Sequence, residues 1–530
     1  MGVYVNPGNA GFAESIRDEY YADKTGMIRF MNAALHTKRK EICFTRPRRF
    51  GKTTAANMLA AYYSCGCDSE DLFRGLEIET EPGFRNYMNR FPVIYFGLIS
   101  FLTDRTIPVQ DIVKTIRQKI LRELIAEYPD CGIEESMSLL DCLLKIVSVK
   151  NRKFIIIIDE WDMLFREQKE NLALQREYID FLRMLFRGNE VPQYLAGAYM
   201  TGILPIIRYD TQSALSDFRE YSMLDAGNLG EYVGFTEEDV RNVCRRYPAA
   251  DYEEMKKWYD GYILEGAGHI YCPDSVLQAA ARGKYSSYWA STSAFESLRM
   301  YIQMNLDGLK DTVLKLMDGE EASVSIEKFE NDLNKISTRD DVLTTLIHLG
   351  YLSYNAVRRT VRIPNLEIRN NFLATMSKGS NPDFLERIRT CDAVLAATRE
   401  GNETDLAGLI AKVHGQRPPK HYREENALRY VILEAYYFSP DSPYTTFEEL
   451  GSGRGFCDLL FLPFTGSTAP PMIIELKWGK AAEEAIKQIR DKDYCAVLRQ
   501  LQYHGDVLLV GINYSEKTEK HSCRIEKVQL

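Results

Sequence analysis

Two patterns of apolar and polar positions alternate along the first part of this chain. Four segments are apolar almost throughout: Glu41–Thr45, Val93–Ser100, Phe154–Ile158 and Tyr194–Thr201. Short, nearly unbroken apolar runs read as strands buried on both faces, as in a parallel sheet. Between them, Val109–Tyr128 and Gln168–Arg187 repeat their apolar residues at helical spacing. Strands alternating with helices predict a parallel α/β sheet across residues 1–235. From Thr236 to about Gly379 the pattern is mostly helical, and Thr236-Glu-Glu-Asp239 reads as a capped helix start. The remainder returns to mixed α/β. It predicts a helix over Glu424–Tyr437, strands at Phe456–Leu462 and Met472–Leu476, a helix near Ala481–Leu498 and a strand at Val507–Ile512. The expected division is 1–235, 236–385 and 386–530.

Composition narrows the class. Hydrophobic residues make up 45% and charged residues 27% of the 530 positions, as in ordinary soluble domains. No stretch reaches the ~18 uncharged apolar residues of a membrane helix. The opening residues are acidic in part and lack an apolar core, unlike a signal peptide. Asn6 stands where myristoylation needs Ser or Thr. The 11 cysteines are odd in number and follow no framework spacing. Cys65 and Cys67 have no second Cys/His pair, so thiols in a reducing cytosol are expected. The expected location is cytoplasmic, with no membrane partner. A net charge of −9 argues against coating nucleic acid, so any DNA contact would use a local basic surface. Lys38–Lys40 and Arg245–Arg246 are short basic runs that read as solvated faces, with a contact to a phosphate backbone as the alternative. The seven histidines do not cluster, which leaves a His-based zinc site unsupported.

Residues 46–53 read Arg-Pro-Arg-Arg-Phe-Gly-Lys-Thr, between a strand and a helical pattern. That context is what a phosphate-binding loop requires. Its main-chain N–H groups, with the helix N-terminus, would face phosphates. Arg46, Pro47, Arg48, Arg49, Phe50, Gly51, Lys52, Thr53 and Thr54 are the candidate nucleotide ligands. Lys52 would reach the β- and γ-phosphates, and the Thr53 hydroxyl would hold Mg²⁺. Arg46 stands where such loops usually open with Gly, so the turn must form without that freedom.

The strand Phe154-Ile-Ile-Ile-Ile158 ends in Asp159 and Glu160. Carboxylates at the tip of a buried strand are the Walker B arrangement. Asp159 would hold Mg²⁺ and Glu160 would polarise the attacking water. A glutamate at that place and an extra strand between the two motifs resemble the AAA-like branch of P-loop ATPases. That resemblance implies a γ-phosphate sensor at Thr201 and a phosphate contact from Arg208, in cis or in trans.

Further stretches sharpen the likeness. They are Tyr21-Ala-Asp-Lys-Thr-Gly26, the IIIIDEWD run, Thr201-Gly202, Gly234-Phe-Thr-Glu237, Trp258-Tyr-Asp-Gly-Tyr262 and Tyr288-Trp289. With the Arg-Pro-Arg-Arg loop they resemble the AAA-ATPase-like family of bacteria and archaea, usually fused to a nuclease. Asp23-Lys24-Thr25 would lie near the nucleotide or simply form a turn. Trp258 and Tyr262 read as packing residues.

Near the C-terminus, Asp458 lies in an apolar strand and Glu475-Leu-Lys477 in the next. This is D-x(16)-E-x-K. Strand alternation puts Glu475 and Lys477 on one face, with Ile474 and Leu476 turned into the core. Asp458 and Glu475 offer hard oxygen ligands for Mg²⁺ or Mn²⁺, and the Leu476 carbonyl offers another. Lys477 would position or deprotonate a water, and Glu425 is a further carboxylate candidate. Gln488 and Tyr494 resemble the Q-x(n)-Y element of the RecB-like branch of PD-(D/E)xK nucleases. Cys457 stands where that superfamily usually has Pro.

The expected fold is therefore α/β: a P-loop NTPase sheet, a helical middle and a restriction-endonuclease-like domain. The expected activity is ATP binding and hydrolysis coupled to metal-dependent cleavage of nucleic acid, DNA by preference, and self-association is left open. The rival expectation is a nucleotide-dependent switch or scaffold whose nuclease-like domain only binds nucleic acid or a protein partner.

Overall fold

The computed structural model describes residues 2–206, 215–289, 300, 302, 306–317, 319–327, 329–330, 335–377, 382–415, 428–429, 431–432, 435–436, 444–463 and 467–530. The chain divides into two compact units, Met1–Asn371 and Phe372–Leu530.

The first unit is built on five strands: β1 Glu41–Thr45, β2 Val93–Gly97, β3 Phe154–Asp159, β4 Leu195–Gly202 and β5 Arg219–Tyr221. Their order is β2-β3-β4-β1-β5, and every pairing is parallel. Ile94, Phe96, Ile156, Ile158 and Met200 share one core with Ile116, Leu143 and Leu182. Those last three come from the helices Ile112–Glu127, Leu139–Lys150 and Leu172–Phe186. The helix Lys52–Tyr63 packs on β3 and β4. Because β4 lies between β1 and β3, the parallel strands bring Thr45, Asp159 and Gly202 to the same sheet edge. Crevices outside such carboxyl ends are where open α/β sheets bind ligands.

The expected strand Val93–Ser100 stops at Gly97 and turns into the helix Leu98–Thr103. Leu98 and Phe101 are buried while Ile99 and Ser100 are exposed, so the apolar run already carries a helical period there. The helix expected at Thr236 starts with a reciprocal cap. Asp239 N–H donates to Thr236 Oγ1 at 3.3 Å, and Thr236 N–H donates to Asp239 Oδ2 at 2.7 Å. The helical stretch also holds two small sheets absent from the expectation. One joins β6 Phe235–Thr236, β7 Tyr262–Leu264 and β8 Gly268–Tyr271; the other joins β9 Ala322–Ser323, β10 Ser353–Asn355 and β11 Thr360–Arg362.

The second unit carries β12 Tyr444–Ser452, β13 Gly455–Pro463, β14 Met472–Trp478, β15 Asp506–Ser515 and β16 Lys520–Gln529, in that order across one sheet. Among the described strands β14 and β15 pair in parallel and the other three pairings are antiparallel. Both faces are covered. Val507 and Leu509 pack with Ile486, Ile489 and Leu498, whereas Leu508, Val510 and Ile512 pack with Leu406 and Ile410. The helix expected over Ala481–Leu498 is two helices, Ala482–Asp491 and Ala496–Gln500. The break contains Asp493 at φ +55°, and Arg454 N–H donates to Lys492 O at 2.7 Å. The turn thus carries the tip of the β12–β13 hairpin. Of the helix expected at Glu424–Tyr437, Leu428, Val431, Ile432 and Ala435 are described and buried. Among the described residues no helix is long and apolar enough to cross a membrane.

Candidate functional sites

The phosphate loop leaves β1 at Thr45 and enters its helix at Lys52. Two residues turn it through left-handed backbone: Arg49 at φ +66° and Gly51 at φ +89°. Glycine suits the second turn, and Arg49 holds the first at a cost of roughly 1 kcal/mol. Among the described residues, none accepts a hydrogen bond from the main-chain N–H of Arg49, Phe50, Gly51, Lys52 or Thr53. Five successive unpaired donors at a helix N-terminus suit an anion.

Lys52 is buried and donates to Pro47 O at 2.7 Å. Burial pushes its pKa down to about 8, against the pull of Asp162, Asp159 and Glu160. A desolvated cation of this kind gains from an anionic occupant. Thr53 Oγ1 donates to Asp159 Oδ2 at 2.7 Å. The other oxygen, Asp159 Oδ1, is buried without a hydrogen-bond partner among the described residues, and burial pushes the carboxyl up to about 6. A hydroxyl, a carboxylate and an orphaned oxygen suit a divalent cation. Glu160 follows at φ +53°, the sharp turn off β3. Thr201 sits on β4 opposite Phe44 of β1, with its hydroxyl buried and unpartnered.

Arg46 is fully buried. Its guanidinium lies 4.5 Å over the Phe44 ring and donates to Thr45 O at 2.9 Å. Burial pushes its pKa down to about 9. Its main-chain N–H is held by Gly202 O at 3.0 Å, which ties the loop to β4. Thr54 lines a neighbouring cavity. Arg208 and Glu425 lie outside the described residues.

Two features were not anticipated. Asp162 is buried and accepts from Arg166 Nε at 2.9 Å, Ile203 N–H at 3.2 Å and Leu204 N–H at 2.9 Å. It joins the turn after β3 to the chain leaving β4, and its charge supports Lys52. The signal was the last residue of IIIIDEWD. The second feature is a cavity of about 170 Å³ that reaches Phe50, Gly51 and Thr54. Its walls include Tyr20, Tyr21, Met58, Tyr232, Phe235 and Leu277. An aromatic slot adjoining a phosphate loop suits a nucleotide base. Lys24 lines it and pairs with Asp239 at 2.5 Å, while Asp23 Oδ1 accepts from Thr25 N–H at 2.9 Å.

In the second unit, β13 and β14 pair with Leu459 opposite Ile474. Continuing that register sets Asp458 across from Glu475. Asp458 Oδ2 accepts from Leu476 N–H at 2.7 Å, and Arg429 Nη2 stands 3.3 Å from Asp458 Oδ1. Lys477 Nζ lies 2.9 Å from Glu475 Oε1, which also accepts from Gln488 Nε2. Gln488 Nε2 reaches Tyr494 Oη at 3.1 Å. The sheet and the helix Ala482–Asp491 therefore gather Asp458, Glu475, Leu476, Lys477, Gln488 and Tyr494. Among the described residues, Glu475 Oε2 is buried without a hydrogen-bond partner. Burial first, and then the Asp458 charge, raise the Glu475 carboxyl to about 7. Two crowded carboxylates with one orphaned oxygen fit a divalent cation. Arg429 was not anticipated, since an arginine on an amphipathic helix carries no signal of its own.

The fold and the two residue sets define the class: a P-loop NTPase sheet joined in one chain to a restriction-endonuclease-like sheet. Comparison with known families agrees. Residues 8–211 match the predicted AAA-ATPase family, and residues 423–523 match the PD-(D/E)XK nuclease superfamily. The chain thus combines an AAA-ATPase-like domain with a PD-(D/E)XK nuclease superfamily domain. No curated protein matches it. Among solved structures, the Aeropyrum pernix ORC2 protein in ADPNP-ADP complexes is 13% identical, with 68% of this chain and 98% of that chain covered, at a TM-score of 0.29. Its ADP form is 12% identical over 72% and 100%, at a TM-score of 0.28. C. elegans PCH-2 is 11% identical over 64% and 66%, at a TM-score of 0.16. At TM-scores this low, the fold assignment stands on the strand order and the family matches.

Proposed function

We propose that this protein binds and hydrolyses ATP in its first unit and cleaves nucleic acid, DNA by preference, in its second. The observation that carries the reading is the pair of unsatisfied acidic sites, each beside the groups its chemistry needs. At the phosphate loop, the free N–H groups of Arg49–Thr53 and the Lys52 ammonium bind the phosphates. The aromatic cavity takes the base. Thr53 and Asp159 would hold Mg²⁺, and Glu160 orients the attacking water. Thr201 reads the terminal phosphate. At the second site Asp458, Glu475 and the Leu476 carbonyl would hold Mg²⁺ or Mn²⁺. When bound, such an ion stabilises charge on the scissile phosphate and the leaving oxygen. Lys477 positions the attacking water, while Gln488 and Tyr494 orient Glu475. ATP binding gates the cleavage.

The test incubates the protein with linear and circular DNA and either ion, with and without ATP, beside Asp458→Ala and Lys52→Ala. Wild type is expected to cut and Asp458→Ala to leave DNA intact. Lys52→Ala is expected to lose the ATP dependence. Wild type that hydrolyses ATP yet leaves every substrate whole would move the nucleotide-dependent switch or scaffold reading ahead.

A further inference from the structure

The Tyr288-Trp289 pair and the Tyr262 end of Trp258-Tyr-Asp-Gly-Tyr262 remain unused by the proposed chemistry. In the first unit both lie against the outer side of the phosphate loop. Trp289 is buried, and its indole Nε1–H donates to Arg48 O at 3.2 Å. Arg49 Nη1 donates to Tyr288 O at 2.9 Å and pairs with Asp274 at 2.7 Å. Cys272 Sγ lies 3.7 Å from Arg49 O; burial pushes this thiol up to about 12, so it keeps its donor proton. Tyr262 meets the Phe50 ring edge-on at 5.6 Å and donates to Gly350 O at 2.5 Å. Gly350, at φ +86°, approaches so closely that an added Cβ would lie 2.7 Å from Pro47.

One buried carboxylate organises this contact. Glu367 Oε1 accepts from Trp289 N–H at 2.9 Å, Tyr288 N–H at 2.7 Å and Ser275 Oγ at 3.0 Å. No side-chain cation is among these partners. Burying a carboxylate is costly, and here it fixes the main chain of two adjacent residues.

The consequence follows from peptide geometry. In a trans peptide the C=O and the next N–H point in opposite directions. Holding Arg48 O outward therefore turns the Arg49 N–H inward. Holding Arg49 O outward turns the Phe50 N–H inward. These are two of the five unpaired donors of the anion site, and Arg49 is the residue held in left-handed backbone.

We infer that Trp289, set in place by Glu367, is a positioning residue that holds the phosphate loop open toward its anionic ligand by taking the Arg48 carbonyl from behind. The role rests on the nucleotide reading of this loop. It asks only for the indole N–H, so Trp289→Phe keeps a six-membered aromatic ring in the pocket beside Tyr351, removes the bond, and has its loss of packing read separately by the thermal midpoint. The loss of one such bond corresponds to nucleotide binding about three- to tenfold weaker. Glu367→Gln retains an oxygen acceptor and is expected to bind like wild type, whereas Glu367→Ala is expected to resemble Trp289→Phe.

The experiment measures ATP and ADP affinity by calorimetry for wild type and the three variants, with thermal midpoints alongside. Weaker binding in Trp289→Phe at an unchanged midpoint, with Glu367→Gln restored, supports the role. Wild-type affinity in a folded Trp289→Phe overturns it and leaves the ATP reading standing. No nucleotide binding by the wild type brings down both. Should Glu367→Ala fail to fold, Trp289→Phe decides alone.

Discussion

Among the described residues, several polar side chains are buried with atoms that make no hydrogen bond. His348 shows it most simply. It is fully buried, stacks on Phe329 at 6.1 Å, and among the described residues has no hydrogen-bond partner for either ring nitrogen. Burial pushes its pKa from the ordinary 6.5 down to about 3. The folded protein therefore binds fewer protons here than the unfolded chain between those limits. Stability is unaffected by this group above pH 6.5 and falls as pH drops from 6.5 toward 3. His348→Leu, of similar volume, is expected to flatten that acid slope and to be at least as stable at pH 7. Urea midpoints at pH 7 and pH 4 check it; parallel slopes in the two proteins would count against the assignment. At the acidic sites the same expense has an evident return. Among the described residues, Asp159 and Glu475 each keep a buried oxygen without a hydrogen-bond partner, and the proposed divalent cations would satisfy both.

At the scale of elements, the legible ones were those with a strong period and a local signal. The four core strands of the first unit carry long apolar runs, and the Thr236 helix carries its own cap. Thr236→Ala removes the reciprocal bonds with Asp239 and is expected to cost about 1 kcal/mol. Chemical denaturation of the first unit measures it; a variant as stable as wild type would show that the helix is held by packing alone. In the two large sheets the missed strands are edges, and the two small sheets of the middle stretch are built from strands of two to four residues, too short to show a period. β5 reads Arg-Glu-Tyr and is mostly exposed, and β16 is exposed or half-buried along its whole length. A strand paired on one side needs little apolar character, so its composition does not announce it. The Ala481–Leu498 stretch reads as one helix because its apolar spacing runs on across the break. The interruption at Lys492–Cys495 comes from the hairpin it supports, a contact between segments distant in the chain.

At the scale of the whole molecule, two compact units carry the two candidate sites, and each site lies within one unit. Ligands that bind only one unit should stabilise only that unit, by roughly 2.7 kcal/mol at a hundred times the dissociation constant. Calorimetry is expected to show two transitions, one raised by ATP and the other by Mn²⁺. Lys52→Ala is expected to lose the first shift and Asp458→Ala the second. A single transition moved by both ligands would mean that the units unfold together.

The sequence by itself determined which chemistry-bearing residues occur and in what order: a loop of phosphate-binding pattern, a buried strand ending in two acids, then carboxylates on two successive strands. These are readable because each demands particular residue types at short spacing on one element. Arg49 and Gly51 sit at fixed offsets from Lys52, and Glu475 and Lys477 share a face by strand alternation alone. Tertiary structure decided everything that depends on which segments meet. The strand order put Asp159 beside Thr53 from 106 positions away. The aromatic cavity drew its walls from separate stretches between Ser15 and Leu277. Trp289 reached Arg48 from 241 positions away, and Glu367 reached Trp289 from 78. Such contacts leave no periodic trace, because burial rewards whichever residues the packed sheet brings together and not their separation along the chain.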